Sequence, residues 1–201
     1  GINHNSSREG SNRVHFQIGK ISGTLVGLCD GYYNNEQTTT GYFNMNTSRS
    51  NNGGWNSSNM RRNILGNTGT PTSPPANTLL AALPSDLRSC MKPVTKYTDN
   101  TANGTNVASN VTGTTDYLFL LAEYEVFGTR YYANSAEQTY QVQYDYYKAG
   151  NSRVAKKHNA TGTAVWWWLR SPYYGTHHGF CDVDTSGNAS WSAAVLPGFS
   201  V

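Results

Sequence analysis

The chain has 201 residues and a mass of 22.0 kDa, the size of one domain that can bury a core without disulfide staples. A net charge of +3, with no basic run beyond Lys156-Lys157, excludes the electrostatic footprint of a nucleic-acid-binding protein. Charged residues make up only 13% of the chain, and 22 Asn, 19 Ser, 22 Thr and 20 Gly stand in their place beside fourteen Tyr and five Trp. That composition argues against a coiled coil, a membrane protein or a typical cytosolic enzyme, and suits a loop-rich protein on a virion or cell surface.

In chain order, residues 12–20 alternate Val14, Phe16 and Ile18 against His15 and Gln17, predicting a half-buried strand. A short strand follows over 24–28. Residues 30–54 are too polar for a core element and read as a structured surface loop. Ser57 or Ser58 caps a short helix through Leu65, with Met60, Ile64 and Leu65 on one face and Gly66 closing it. Residues 67–76, with Pro71, Pro74 and Pro75, form a loop. Helical turns are expected over 78–83 and 86–91, separated by Pro84, with Ser85 capping the second. A strand follows over 93–97, then a polar stretch over 98–115, then the most apolar strand at 117–121.

Ser135 and Gln138 make a capping-box pattern for a Tyr-rich helix running to about Lys148. Three strands are expected in the last third, over 164–169, 180–183 and 195–201. Helices in the first three quarters and strands at both ends predict an α+β domain spanning 1–201, its N- and C-terminal strands joined in one sheet. The longest apolar runs, 118–122 and 165–169, are far short of a membrane span, so no membrane insertion is expected. The start at Gly1, with no signal-like segment, reads as an excerpt from a longer protein.

Chemistry is sparse. Cys29, Cys90 and Cys181 are odd in number and widely spaced, which fits buried thiols and neither a disulfide framework nor a zinc motif. His177 and His178 point to opposite sides of an extended segment, so no metal or other cofactor is expected there. Glu123 and Glu125 close an apolar segment and either is a candidate partner for Arg170. Asp182 and Asp184 share a strand face as exposed contact residues or calcium ligands. Seven N-x-[S/T] sequons follow from the composition alone. No P-loop, G-x-S-x-G or G-x-G-x-x-G occurs, and an enzyme is not expected.

The run Trp166-Trp167-Trp168-Leu169-Arg170-Ser171-Pro172 sends large rings to both faces of a strand and reads as buried scaffold. Behind it come Tyr173, Tyr174, Gly175, Thr176, His177 and His178, the vocabulary of adaptable binding surfaces. From Tyr173 to Val201 the chain contains no Lys, Glu, Gln or Met, which suggests a coding constraint.

WWWLRSP, the later GFCDVD (179–184) and VLPGF (195–199), with the earlier GGWNSSNMRRNILG (53–66), LPSDLRSCMKPVTK (83–96) and DYLFLLAEYEVFG (116–128), resemble the C-type-lectin-like domains of bacteria and phages. Within that group the chain looks most like the variable proteins of diversity-generating retroelements, in which adenine-directed reverse transcription rewrites a C-terminal segment. The resemblance implies a lectin-like scaffold displaying changeable side chains on one face. It implies a phage- or prophage-encoded binding protein for a bacterial cell-surface receptor, protein or glycan, located on a phage tail or on the cell surface. The ligand-binding positions implied are Tyr173, Tyr174, Gly175, Thr176, His177, His178, Asp182, Asp184, Ser186, Asn188, Ser190 and Ser192, with Trp191 a fixed packing residue. Adenine mutagenesis of Asn codons reaches Tyr, His, Asp, Ser, Gly and Thr, but not Trp, Lys, Glu, Gln or Met. The same general fold also houses formylglycine-generating oxidases, for which Cys181 is the one nearby thiol; a purely structural surface module is the third alternative. The chain has Leu196-Pro197-Gly198 where many relatives carry an Arg-Pro-Ala type motif, and it lacks the calcium-binding Glu-Pro-Asn pattern of sugar-binding lectins.

Overall fold

A computed structural model describes residues 9, 13–31, 35–184, 186–188 and 191–201; for Ile21 and 186–188 the description covers the backbone only. The chain is α+β, with small sheets and short helices. Strand β1 (His15–Gln17) pairs antiparallel with the C-terminal strand β12 (Gly198–Ser200), as the sequence predicts, and β12 pairs in turn with β6 (Leu118–Phe119). A second sheet has β2 (Lys20–Ile21), β3 (Thr24–Gly27), β7 (Ala155–Lys157) and β8 (Ala160–Val165) in that order. Strands β4 (Val94–Asp99) and β5 (Val111–Asp116) form a hairpin. Strand β10 (Gly179–Asp182) lies between β9 (Trp168–Pro172) and β11 (Ser186–Asn188).

The core sits on both sides of a layer made by three segments. Along 118–121, Leu118 and Leu120 enter one cluster while Phe119 and Leu121 enter the other. The same alternation runs through Trp168 against Trp167 and Leu169, and through Ala193 and Val195 against Ala194 and Leu196. Period-two apolar runs without polar interruption are what a layer buried on both faces requires. Trp167 and Trp168 are therefore fully buried scaffold, as expected, whereas Trp166 is half-buried beside Trp191, ring centroids 6.4 Å apart. The predicted strand over 164–169 is broken there: Val165 ends β8 and Trp168 begins β9.

Other expectations change at tertiary contacts. In the first strand His15 is buried, its Nδ1 2.8 Å from the Tyr144 hydroxyl, while Val14 is exposed. The capped segment after Ser58 is a π-helix, Met60–Leu65, closed by Gly66 at φ 95°. The Ser58 hydroxyl accepts from the Arg61 amide at 3.1 Å, the capping role anticipated for Ser57 or Ser58. The polar stretch 98–115 contains most of β5, and 123–127 is a helix, α4 (Glu123–Phe127), after the short α1 (Gly54–Ser57), α2 (Leu79–Ala82) and α3 (Ser85–Cys90). The Tyr-rich helix is two short ones, α5 (Glu137–Tyr140) and α6 (Asp145–Lys148). Gln141 leaves the first helix because its side-chain amide donates to the Tyr97 carbonyl at 2.9 Å. Cys29 and Cys181 are buried, but Cys90 is exposed.

Arg170 is the hub of a buried ionic network. Its guanidinium donates to both Glu125 oxygens at 2.6 and 2.8 Å, to Thr98 Oγ1 at 2.7 Å and to the Leu120 carbonyl at 2.8 Å. Burial opposes the charge on Arg170, but the carboxylates of Glu125, foremost, and of Glu9 and Glu137 together hold the guanidinium above its ordinary pKa. Glu125 also accepts from the Ala122 amide at 2.9 Å at the start of α4. Lys96, fully buried, reaches Glu125 at 3.3 Å and the Tyr144 hydroxyl at 3.1 Å, and pairs with Glu9 from the N-terminal segment.

Removing one partner from such a pair strands the other charge without water. Arg170→Ala and Glu125→Ala should each cost about 3–5 kcal/mol in equilibrium denaturation. Arg170→Met combined with Glu125→Leu should cost clearly less than the two single losses added together.

Candidate functional site

The scaffold ends at Ser171 and Pro172, both buried, and the chain then emerges as the loop 173–178 before β10. Tyr173, Tyr174 and Thr176 are partly exposed, and Gly175, His177 and His178 are exposed. These six predicted residues come together on one loop. It is hung from Asn51, a fully buried side chain that the sequence reading passed over as part of a polar surface loop. The Asn51 Nδ2 group donates to the carbonyls of Thr176 and Gly179 at 2.9 Å each and to that of Tyr173 at 3.3 Å. Its Oδ1 accepts from the Asn103 amide at 3.1 Å, and its own amide donates to the His177 carbonyl at 2.8 Å. One buried amide thus satisfies polar groups on two segments, 173–179 and Asn103, and fixes the loop to the scaffold.

The His177 ring lies against Asn103, its Nδ1 3.0 Å from the Asn103 carbonyl oxygen. Tyr173 packs edge-on against Tyr132 at 5.2 Å and Tyr174 at 6.0 Å between ring centroids. A Cβ on Gly175 would meet the Tyr173 ring at 2.7 Å, so glycine there lets that ring lie back across the loop. Arg130 stacks over Tyr174, 5.0 Å from the ring centroid.

A second loop supports the first. Glu123, buried, accepts from the backbone amides of Tyr131, Tyr132 and Ala133 at 2.9–3.0 Å, which presents two exposed tyrosines beside Tyr173. Tyr131 and Tyr132 were not among the predicted site residues; their signal was an exposed-type aromatic pair directly after the α4 segment. Ser171 ties this arrangement to the scaffold. Its hydroxyl donates to Glu137 Oε2 at 2.6 Å and accepts from the Glu123 amide at 3.1 Å.

Two predicted contact residues are corrected. Ser192 is 1% exposed and its hydroxyl donates to Asp30 Oδ2 at 2.6 Å, because it sits in the doubly buried layer beside Ala193. Asp182 is 3% exposed, facing inward from β10, while Asp184 just beyond the strand is exposed. The two therefore do not make one exposed acidic face. Ser186 and Asn188 lie on β11 with side chains outside the described residues, and Ser190 lies wholly outside them. Among the described residues, no three His, Cys, Asp or Glu side chains are grouped to hold a metal ion, and no helix is long and apolar enough to cross a membrane. Cys181 is fully buried, and burial pushes its thiol well above the ordinary range.

A family model described as a domain of unknown function, DUF6273, matches residues 33–201, and the chain belongs to that family. No curated protein and no solved structure matches it.

Two measurements probe this support. Asn51→Ala should raise hydrogen exchange at the amides of Tyr173 and Gly179 more than tenfold, with little change in β4 and β5. Glu137 gives a pH signature: burial raises its carboxyl from 4.5 to about 7 against the opposing hydrogen bonds from the Asp99 amide, Ser171 and Gln141. The folded state therefore holds this proton more tightly than the unfolded chain. Its contribution is fully present below pH 4.5 and is lost as pH rises through about 7. Thermal unfolding of Glu137→Gln, neutral at every pH, should show a flatter stability profile across that window than the unsubstituted protein.

Proposed function

We propose that the protein is a ligand-binding module of the C-type-lectin-like variable type, carrying a diversified face for a receptor on a bacterial surface. It is phage or prophage encoded and is displayed on a virion or a cell. The observation that carries this reading is the boundary at Pro172. Residues 167–172 are buried without exception, and the next six, 173–178, are exposed or partly exposed on a loop held from below by Asn51. Every side chain on that loop belongs to the set that adenine mutagenesis of Asn codons reaches, whereas the tryptophans beneath it do not.

Recognition works by surface complementarity. Tyr173 and Tyr174 supply rigid contact area at small entropy cost, and Thr176, His177 and His178 supply hydrogen bonds. Weak single contacts gain from repeated display on one particle. The burial of Asp182 and Ser192 narrows the diversified face to 173–178 and Asp184 among the described positions. The oxidase alternative needs an accessible reactive thiol at this site. The burial and raised pKa of Cys181 weigh against it.

Deep sequencing of the gene and its flanking DNA across a population tests the proposal. The expected result is variation at codons 173, 174, 176–178 and 184, arising at adenines of a nearby template repeat, with codons 182 and 192 far less varied. Even variation along the gene, with no template or reverse transcriptase nearby, would reject the retroelement reading.

A further inference from the structure

Beside the tyrosine loop lie two clefts of about 280 Å³ each that share a single residue, Asp184. The first is walled by Phe127, Tyr131 and Tyr132 and carries the carboxylates of Glu123, Asp182 and Asp184, of which Asp184 is exposed, Asp182 is buried and Glu123 is taken up by the 131–133 amides; no basic residue is in its described lining. The second is apolar, with Val154, Val165, Trp166 and Val183, and has Arg153 at its edge. Arg153 shares the second cleft with Asp184 but is engaged elsewhere: its guanidinium lies over the Phe127 ring, 5.1 Å from the centroid, and its Nε donates to the Val126 carbonyl at 3.3 Å. Exposed Asp184 makes no hydrogen bond or ion pair with another described residue. Tyr131 and Val154 are 57% and 55% exposed, so both walls are open to a partner.

The chain carries +3 overall, yet this groove sets one exposed carboxylate, Asp184, beside the aromatic rings of Tyr131 and Tyr132. Carboxylates and ring faces both attract a guanidinium or ammonium, and the chain's own Arg130 and Arg153 already stack on Tyr174 beside the groove and on Phe127 in its wall. We infer that the paired clefts dock a polypeptide segment of the receptor bearing a Lys or Arg next to a large apolar side chain. The basic head enters between Tyr131, Tyr132 and Asp184, and the apolar neighbour packs against Trp166 and Val154. This rests on the binding-face reading above and deepens it by naming the receptor as protein, with charge complementarity as the selecting force.

The test is selection of a random nonapeptide library on the intact protein, followed by affinity measurement of the enriched peptides against variants. Asp184→Lys and Tyr131→Ser alter exposed side chains, and a Tyr173→Ala/Tyr174→Ala variant reports on the loop separately. The expected result is enrichment of peptides pairing Lys or Arg with Leu, Ile, Phe or Trp. Their binding should fall more than tenfold with Asp184→Lys, fall similarly when citrulline replaces arginine, and weaken as salt rises. Peptides without a basic residue, or binding that tolerates Asp184→Lys and Tyr131→Ser but is lost with the tyrosine-loop variant, would overturn the groove and leave the loop reading standing. Dependence on Asp184 and Tyr131 with indifference to the loop variant would support the groove and remove the loop reading. No enriched peptide, with binding of neutral glycans instead, would overturn the docking of a polypeptide.

Discussion

The bidentate contact between Arg170 and Glu125 is the constraint from which the rest of the architecture is organised. Arg170 sits one residue before the point where the scaffold gives way to Ser171 and Pro172, and Glu125 lies on α4. Thr98 on β4 and the Leu120 carbonyl complete the guanidinium's partners. Four separate segments are thus registered by one side chain. A buried charge of this kind is tolerated only when its donors are almost all used, so the geometry around it has few alternatives. Lys96 and Glu9 extend the same network towards the N-terminal segment, which links the chain's first described residue to its core.

Because Arg170 is immobile, everything immediately after it inherits a fixed starting direction. Ser171 converts that position into two hydrogen bonds, one to each of the segments carrying Glu123 and Glu137. Glu123 in turn collects the amides of 131–133, so the loop bearing Tyr131 and Tyr132 is indexed to the same residue pair as the loop bearing Tyr173. Asn51 performs the corresponding task from the other side. Neither loop has regular secondary structure of its own to stiffen it. Their order comes from buried polar side chains whose hydrogen bonds end on loop backbone, a device that leaves the loop side chains free to change.

That division explains what the sequence disclosed and what it withheld. The doubly buried layer was legible in Trp167-Trp168-Leu169, since large rings sent to both faces have few other meanings, while 117–121 was legible only as the most apolar strand. The pairing of Arg170 with a nearby Glu was legible for the same reason: a cation inside an apolar run needs a partner. Strand β5 was not, because Val111-Thr-Gly-Thr-Thr-Asp has one aliphatic residue and earns its place by pairing with β4, a non-local contact. The break in the Tyr-rich helix was also hidden, since Gln141 is a good helix former locally and departs only for the distant Tyr97 carbonyl.

The proposed binding face shows the same limit at single residues. Codon reachability grouped Asp182 with Asp184 and Ser192 with the loop, since it depends on nucleotide chemistry and is blind to burial. Fold geometry separates them by the pleat and the strand end: Asp182 still belongs to β10 and turns inward, and Asp184 is two residues further on, past the last paired position. A substitution at Asp184 meets solvent, whereas one at Ser192 must fit among Ala193, Asp30 and the buried layer. Mutational freedom at this face is therefore set by whether a position hangs from the buried polar network or forms part of it. The same distinction makes exposed Asp184 a position whose side chain can change without disturbing the buried Arg170–Glu125 contact.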